Sequence, residues 1–288
     1  MEKLYRKLVN YLYVMPAVIW LILLLAAPLG VIIYYSFLTP DLVTGGVINE
    51  FTFDNYEATL ARGMYGLIFL KTLGLATATT VICLLLGYPL AYWIVKYAGR
   101  WKTLTVFMVI TPSFTTYLIR LYAIRTIFQS QGIINSVLLN LGLISSPLQI
   151  LYTPGAVMAG LVYSWMPLMI LPLYAALDGL DPSVLEAAED LGASGLQKLR
   201  TVILPLIKGG IVAGIIFTFV PSLGAWLVPL MLGGAKVMMA GNLVQLHFLA
   251  AGNIPMGSAV AVVLTAMIVL ILYIAIKLGG KEALERIA

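Results

Sequence analysis

The stretch DGLDPSVLEAAEDLGASGLQKLRTVILPLIKGG (residues 178–210) is a polar interruption in a chain that is otherwise largely apolar. It reads as two short helices. Asp181 can cap the first, with Pro182 at its first turn, where a missing N–H costs nothing. Val184, Leu185, Ala188 and Leu191 recur at helical spacing on one face, and Glu186, Glu189 and Asp190 fall largely elsewhere. Gly192 is placed to stop the helix in the left-handed conformation. Ser194 with Gln197 makes an S-x-x-Q capping box that opens the second helix, and Pro205 marks entry to the next apolar run. The segment is far longer than a turn between neighbouring helices needs. It also sets small residues (Ala187, Ala188, Gly192, Ala193) beside acids, and small residues allow the close approach that a helix seated in another protein's groove requires.

The composition on either side of this segment explains why it stands out. Of 288 residues, 61% are hydrophobic and only 10% charged, and mean hydropathy is +1.02. A soluble domain carries about 45–50% apolar and ~25% charged residues, so a soluble domain and a disordered chain are both excluded. One cysteine, Cys83, rules out a disulfide framework and any cysteine-ligated metal site. One histidine, His247, rules out a His-rich metal centre, and it reads as a loop or lining residue.

A bilayer core about 30 Å thick takes roughly 20 residues per helix. The uncharged runs then predict an all-α membrane protein with six spans: 11–38, 68–95, 103–122, 152–177, 206–231 and 257–276. Outer loops are expected at 39–67, 123–151 and 232–256, the second containing a short surface helix within 129–149. The polar segment 178–205 is a cytoplasmic loop. With the N-terminal segment 1–10 and the C-terminal segment 277–288 also cytoplasmic, twelve of the 17 Lys and Arg residues lie inside. The outer side holds Arg62, Lys71, Arg120, Arg125 and Lys236, which is the positive-inside asymmetry. The first apolar run is about twice the usual 7–15 residue signal-peptide core and reads as an uncleaved helix.

All 12 acids fall outside the predicted spans. Ion-coupled transporters commonly place a charge at mid-membrane, where it is expensive and therefore functional. Its absence argues against an ion-driven transporter, although broken helices can bind sodium through carbonyls alone. No nucleophile–base pair can be assembled in the spans, and the energy source is expected in another chain.

EAAEDLG (186–192), followed by VILP (202–205), resembles the EAA loop of binding-protein-dependent ABC importer permeases, whose pattern is E-A-A-x3-G-x9-I-x-L-P. Glu186, Ala187, Ala188, Gly192, Leu204 and Pro205 match, and Val202 stands where Ile is usual. LGYPLAYWI (86–94), TYLIRLYAIRTIF (116–128), Gln131-Gly132, LVYSWMPLMILPLY (161–174), GGAK (233–236) and GN (241–242) extend the likeness. Together they resemble the spermidine/putrescine permease family, in particular the first of its two permease subunits. The resemblance implies the type I importer permease fold in the bacterial inner membrane and no enzyme activity in this chain. It implies three kinds of partner: a second permease (a paralogue), two ATP-binding subunits that hold ATP and Mg, and an extracytoplasmic substrate-binding protein. It assigns Glu186, Ala187, Ala188, Asp190, Gly192, Leu204 and Pro205 to coupling with the ATPase, and it gives the loop 39–67 a part in receiving the binding protein. No cofactor or metal is expected in the chain itself.

For a cationic solute, aromatic faces bind ammonium for about 0.5–2 kcal/mol each. Tyr117, Tyr122, Tyr163, Trp165 and Trp226 are candidates to line its path, although Tyr and Trp also gather at membrane interfaces for structural reasons. Pro112, Pro167, Pro172 and Pro221 are either cavity-lining breaks or simple kinks. The fifth span offers no acid, so carboxylates for a polyamine come from the second permease, or selection occurs in the binding protein. Asp54 can cap a helix at NYEATLA, and Arg120 and Arg125 either anchor at headgroups or repel free cations.

Overall fold

The computed structural model describes residues 2–41, 46–61 and 63–279. Arg62, Lys281, Arg286, Glu282 and Glu285, with most of the predicted C-terminal segment 277–288, lie outside these residues. The chain divides into two compact units, one of residues 1–66 with 243–265, the other of residues 67–242 with 266–288.

In the first unit, α1 (Glu2–Ser36) is followed by an antiparallel hairpin of β1 (Leu38–Pro40) and β2 (Val47–Phe51) and by α2 (Asp54–Ala61). The buried Asn55 ties the hairpin to the end of α1, donating from Nδ2 to the carbonyls of Ser36 at 3.0 Å and Leu38 at 2.8 Å. Asp54 is the first helical residue of α2 rather than its cap. Its N–H donates to Thr52 Oγ1 at 3.1 Å, so the threonine hydroxyl supplies the acceptor the aspartate was expected to provide.

The second unit contains most of α3 (Gly63–Tyr97), then α4 (Lys102–Ile110), α5 (Tyr117–Phe128), α6 (Ile133–Asn140) and α7 (Pro154–Asp178). Two short helices follow, α8 (Pro182–Asp190) and α9 (Gly195–Lys198), then α10 (Leu204–Leu206) and α11 (Lys208–Leu223). α12 (Ala240–Gln245) and the long α13 (Ile254–Gly279) are each divided between the units, residues 243–265 belonging to the first.

Among the described residues four helices are long and apolar enough to cross a membrane, within Val14–Ser36, Gly63–Tyr97, Pro154–Asp178 and Ile254–Ala275, and two bent pairs bring the count to six if each is one span. The third predicted span, 103–122, is not continuous. Residues 99–114 and 117–140 meet at 91°, because Thr115 and Thr116 turn extended between them. A sequence reading that counts only charges passes over the polar run Thr111–Thr116. Residues 195–206 and 208–223 meet at 72°, with the break at Ile207 (φ −92°, ψ 9°), just after Pro205. Pro205 therefore stands ahead of the bend, and the straight part of the fifth segment begins at Lys208.

α7 joins two cores. Its first half contributes Ala156, Val157 and Leu161 to a cluster with Leu121, Val228, Leu232 and Met239. Its second half contributes Met169, Ile170, Leu173 and Leu177 to a cluster with Cys83, Ala91, Ile203 and Ile207. The approach to α11 depends on two glycines four residues apart, the small-x3-small spacing of close helix pairs. A β-carbon on Gly210 would lie 2.4 Å from Ala176 Cβ, and one on Gly214 would lie 2.7 Å from Met169 Sδ. The break after α11 is closed by the GN pair. Gly241 passes so near the carbonyls of Gly224 and Ala225 that a β-carbon would lie 2.7 Å from each oxygen. Asn242 donates from Nδ2 to the Trp226 carbonyl at 2.5 Å, and its Oδ1 accepts the Met239 N–H at 3.2 Å.

Gly214→Val should overpack the α7–α11 contact by about 1–3 kcal/mol, whereas Gly74→Ala, where a β-carbon meets nothing within 4 Å, should be neutral. Thermal unfolding in detergent reads both, and equal midpoints would refute the contact's importance. Asn242→Ala should destabilise by about 1–3 kcal/mol, because it leaves a carbonyl and an N–H unsatisfied; the same assay checks it.

Candidate functional site

α8 is closed at both ends by its own sequence. Asp181 accepts the N–H of Ser183 at 2.9 Å, and Pro182 occupies the first turn. That hydrogen bond holds the Asp181 carboxyl below the usual carboxylate range. At the other end the Ala193 N–H reaches the Ala188 carbonyl at 3.0 Å, and the Gly192 N–H reaches that of Glu189 at 2.9 Å. This is the Schellman arrangement, and it needs the left-handed φ of +75° that Gly192 adopts. The box predicted next is also formed: Ser194 N–H donates to Gln197 Oε1 at 2.8 Å, and Gln197 N–H to Ser194 Oγ at 3.4 Å.

The Lys198 ammonium bridges back to Glu189 and joins α9 to α8. The hydrogen bond and the charge of Lys198 lower the Glu189 pKa. The pair is therefore fully formed above the ordinary carboxylate range and is lost as pH falls through the lowered value. A second pair, Lys102 with Asp178, ties the start of α4 to the end of α7.

Burial divides the coupling candidates. Ala188 is buried, and Leu185 and Leu204 are partly buried against the second core, while Glu186, Ala187, Asp190, Gly192 and Pro205 are exposed. Helical spacing sets Val184 and Leu191 on one face with Leu185 and Ala188, yet Val184 is exposed, and so is Leu191. It is 88% exposed, because it follows the last helical residue and is turned outward by the cap. An outward strip of Glu186, Ala187, Asp190 and Leu191 results. Beside α8 lies a cavity of about 400 Å³, bounded by Tyr92, Lys96, Leu177, Leu185, Glu186 and Glu189, so Glu186 stands at the edge between the strip and this free space.

The five aromatic candidates do not form one group. Tyr117 and Trp165 pair at 5.9 Å between ring centroids, beside the first core. The guanidinium of Arg120 lies 5.7 Å from the Tyr117 ring centroid, so that face already meets a cation of the chain's own. Tyr122, Tyr163 and Trp226 are exposed, and among the described residues no ring contact links them to that pair. Among the described residues no cluster of His, Cys, Asp and Glu could hold a metal. His247 accepts or donates a 3.1 Å hydrogen bond through Nε2 with Tyr65.

Several residues that organise these regions carry no obvious sequence signal. The fully buried Asn135 fixes the loop 129–149 through Gln129 and Leu148, with bonds of 3.1, 3.0 and 2.7 Å. Gly160 admits Leu232 where a β-carbon would lie 2.4 Å away. The spacing of Gly210 and Gly214 was readable as a close-packing motif.

The family described as binding-protein-dependent transport system inner membrane component matches residues 83–279. The spermidine/putrescine transport system permease protein PotB of Haemophilus influenzae is 40% identical over 257 residues, 88% of each chain. PotB of Escherichia coli is 39% identical over 255 residues, 88% of this chain and 92% of the relative. The inner membrane ABC transporter permease protein YdcU of Escherichia coli is 33% identical over 288 residues, 95% and 91% of the two chains. A bacterial ABC transporter involved in the import of the acidic polysaccharide alginate shares the fold, with a TM-score of 0.79 at 17% identity over 96% of this chain and 97% of that one. With the match running through the capped loop and both cores, the chain belongs to the binding-protein-dependent transport system inner membrane components, as a multi-pass inner-membrane permease.

Proposed function

We propose that this chain is one permease subunit of an ATP-driven importer for polyamines of the spermidine/putrescine class, working by alternating access. The observation that carries the reading is the 39–40% identity to the PotB permeases across 88% of the chain. The remaining subunits are a second permease, a paralogue by the same resemblance, two ATPase subunits that bind ATP and Mg, and a soluble binding protein. The charge asymmetry supports a cytoplasmic position for both termini and α8. The exposed strip of Glu186, Ala187, Asp190 and Leu191 is the face offered to an ATPase cleft, and Ala188, Gly192, Leu204 and Pro205 hold that face in place.

A second reading keeps the importer and changes the solute to another small organic molecule. It is favoured by the absence, among the described residues, of any acid in the apolar spans apart from Asp178, the last residue of α7 and already paired with Lys102, and by Arg120 standing on the Tyr117 face. Uptake of labelled spermidine and putrescine into liposomes holding the full importer separates the two. Uptake that requires both ATP and the binding protein is expected. Receptor-stimulated ATPase activity without polyamine uptake would move the assignment to the second reading.

Gly192→Ala should strain the α8 cap by roughly 1–2 kcal/mol and lower receptor-stimulated ATPase activity several-fold. Gly192→Asn, which tolerates the left-handed region, should retain more of it. Equal stimulation in both variants and in the wild type would remove α8 from the coupling role.

A further inference from the structure

Trp165 is the twelfth of the 25 residues of α7, one residue from the midpoint of an apolar span. Its ring pairs with that of Tyr117 at 5.9 Å between centroids, and the Arg120 guanidinium lies 5.7 Å from the Tyr117 centroid. These contacts set the first turn of α5 against the middle of α7, whichever way that helix runs through a bilayer. A guanidinium at such depth is costly and requires a partner within protein.

No such partner is present among the described residues of the chain. Arg120 Nε and Nη1 are buried without a hydrogen bond, and so is Trp165 Nε1. Three donors beside one ring therefore lack acceptors, although a donor removed from water costs free energy until it is paired. The nearest acid along α7 is Asp178, which is 13 residues from Trp165, roughly 20 Å, and is bound to Lys102. The other described acids of the second unit lie beyond it, and no described acid of the first unit falls in an apolar span. Arg120 itself is only partly buried, and its neighbours on α5, Leu118, Ile119 and Tyr122, are exposed. This turn of the helix is open to a further chain.

We propose that Arg120 takes a carboxylate side chain from an apolar span of the second permease, with the Trp165 N–H as a further donor to the same segment. The inference rests on the importer reading, which supplies that second permease. Lipid tails cover Leu118 and Ile119 well enough but hold no acceptor, whereas a planar guanidinium with unmet N–H groups selects a carboxylate. For a cationic solute the pair has a further effect. Arg120 masks the acid, and an ammonium group entering the path competes for the same oxygens. The carboxylate that this chain's own spans lack is then released only to an arriving cation.

The test is charge exchange between the two permeases of the full importer in zwitterionic bicelles. The first readout is the rate at which the second permease is exchanged, followed by energy transfer between labels on the two chains. Arg120→Gln should speed exchange about tenfold or more, and Arg120→Lys should do so less. Arg120→Glu should be as damaging as Arg120→Gln. Replacing one acid in the apolar spans of the second permease by Arg should restore slow exchange in that background, although it disrupts the pair alone. Trp165→Phe keeps the ring contact and removes only the N–H. It should speed exchange about threefold, and it carries the test if the Arg120 variants do not fold. The second readout is binding of labelled spermidine without the binding protein, which Arg120→Gln should raise several-fold by unmasking the acid. Unchanged exchange in every variant would overturn the proposal, as would failure of every reciprocal replacement to rescue Arg120→Glu. An effect confined to anionic lipid would assign the guanidinium to headgroups and overturn it equally. Reciprocal rescue with no spermidine binding in any variant would leave the ion pair standing and remove the polyamine reading.

Discussion

The absence of two β-carbons governs the second unit. Gly210 and Gly214 let α11 lie against the backbone of α7, with Ala176 and Met169 filling the space their side chains would have taken. In lipid the gain comes from close packing rather than from expelling water, so a contact that admits no side chain has no substitute. Both cores are arranged around that contact. Each half of α7 belongs to one of them. The other glycine-dependent approaches, Gly160 to Leu232 and Gly241 to the Gly224 and Ala225 carbonyls, extend the same construction to the segment beyond α11.

How much of this was legible follows from the range of the interactions. The caps of α8 and α9 are local: Asp181, Pro182, Gly192, Ser194 and Gln197 each act on backbone within a few residues, and the structure has each where its chemistry directs. Fold class was legible because hydropathy adds up over long runs. The bend between α4 and α5 was not, since an extended Thr115–Thr116 depends on what packs to either side, and a threonine pair is equally at home in a helix. Leu191 was misplaced for a similar reason, as helical periodicity continues on paper past the residue where the helix ends. The structural roles of the buried Asn135 and of Asn242, noted only as part of the GN likeness, were not legible, because they serve carbonyls up to 16 residues away.

The aromatic residues show the limit of reading by type. An ammonium-binding role suits any of the five rings, but only geometry separates Tyr117, already faced by Arg120 and paired with Trp165, from the exposed Tyr122, Tyr163 and Trp226. A cation from the chain itself on the one paired aromatic face changes the electrostatic problem for any cationic solute passing it, which would exchange one positive charge for another on the same ring.

The way α7 connects to α8 also has a mechanical meaning. α7 is an unbroken helix of 25 residues despite Pro167 and Pro172, and only three residues separate it from α8, which the Glu189–Lys198 pair and the shared caps bind to α9. An unbroken helix of this length can carry a tilt from one of its ends to the other. At 1.5 Å per residue the helix is about 37 Å long, so a tilt of roughly 5° at one end sweeps the other through about 3 Å. The free volume beside α8 gives that tilt somewhere to go, and a push of small amplitude on one side of the membrane then becomes a displacement of atomic size on the other.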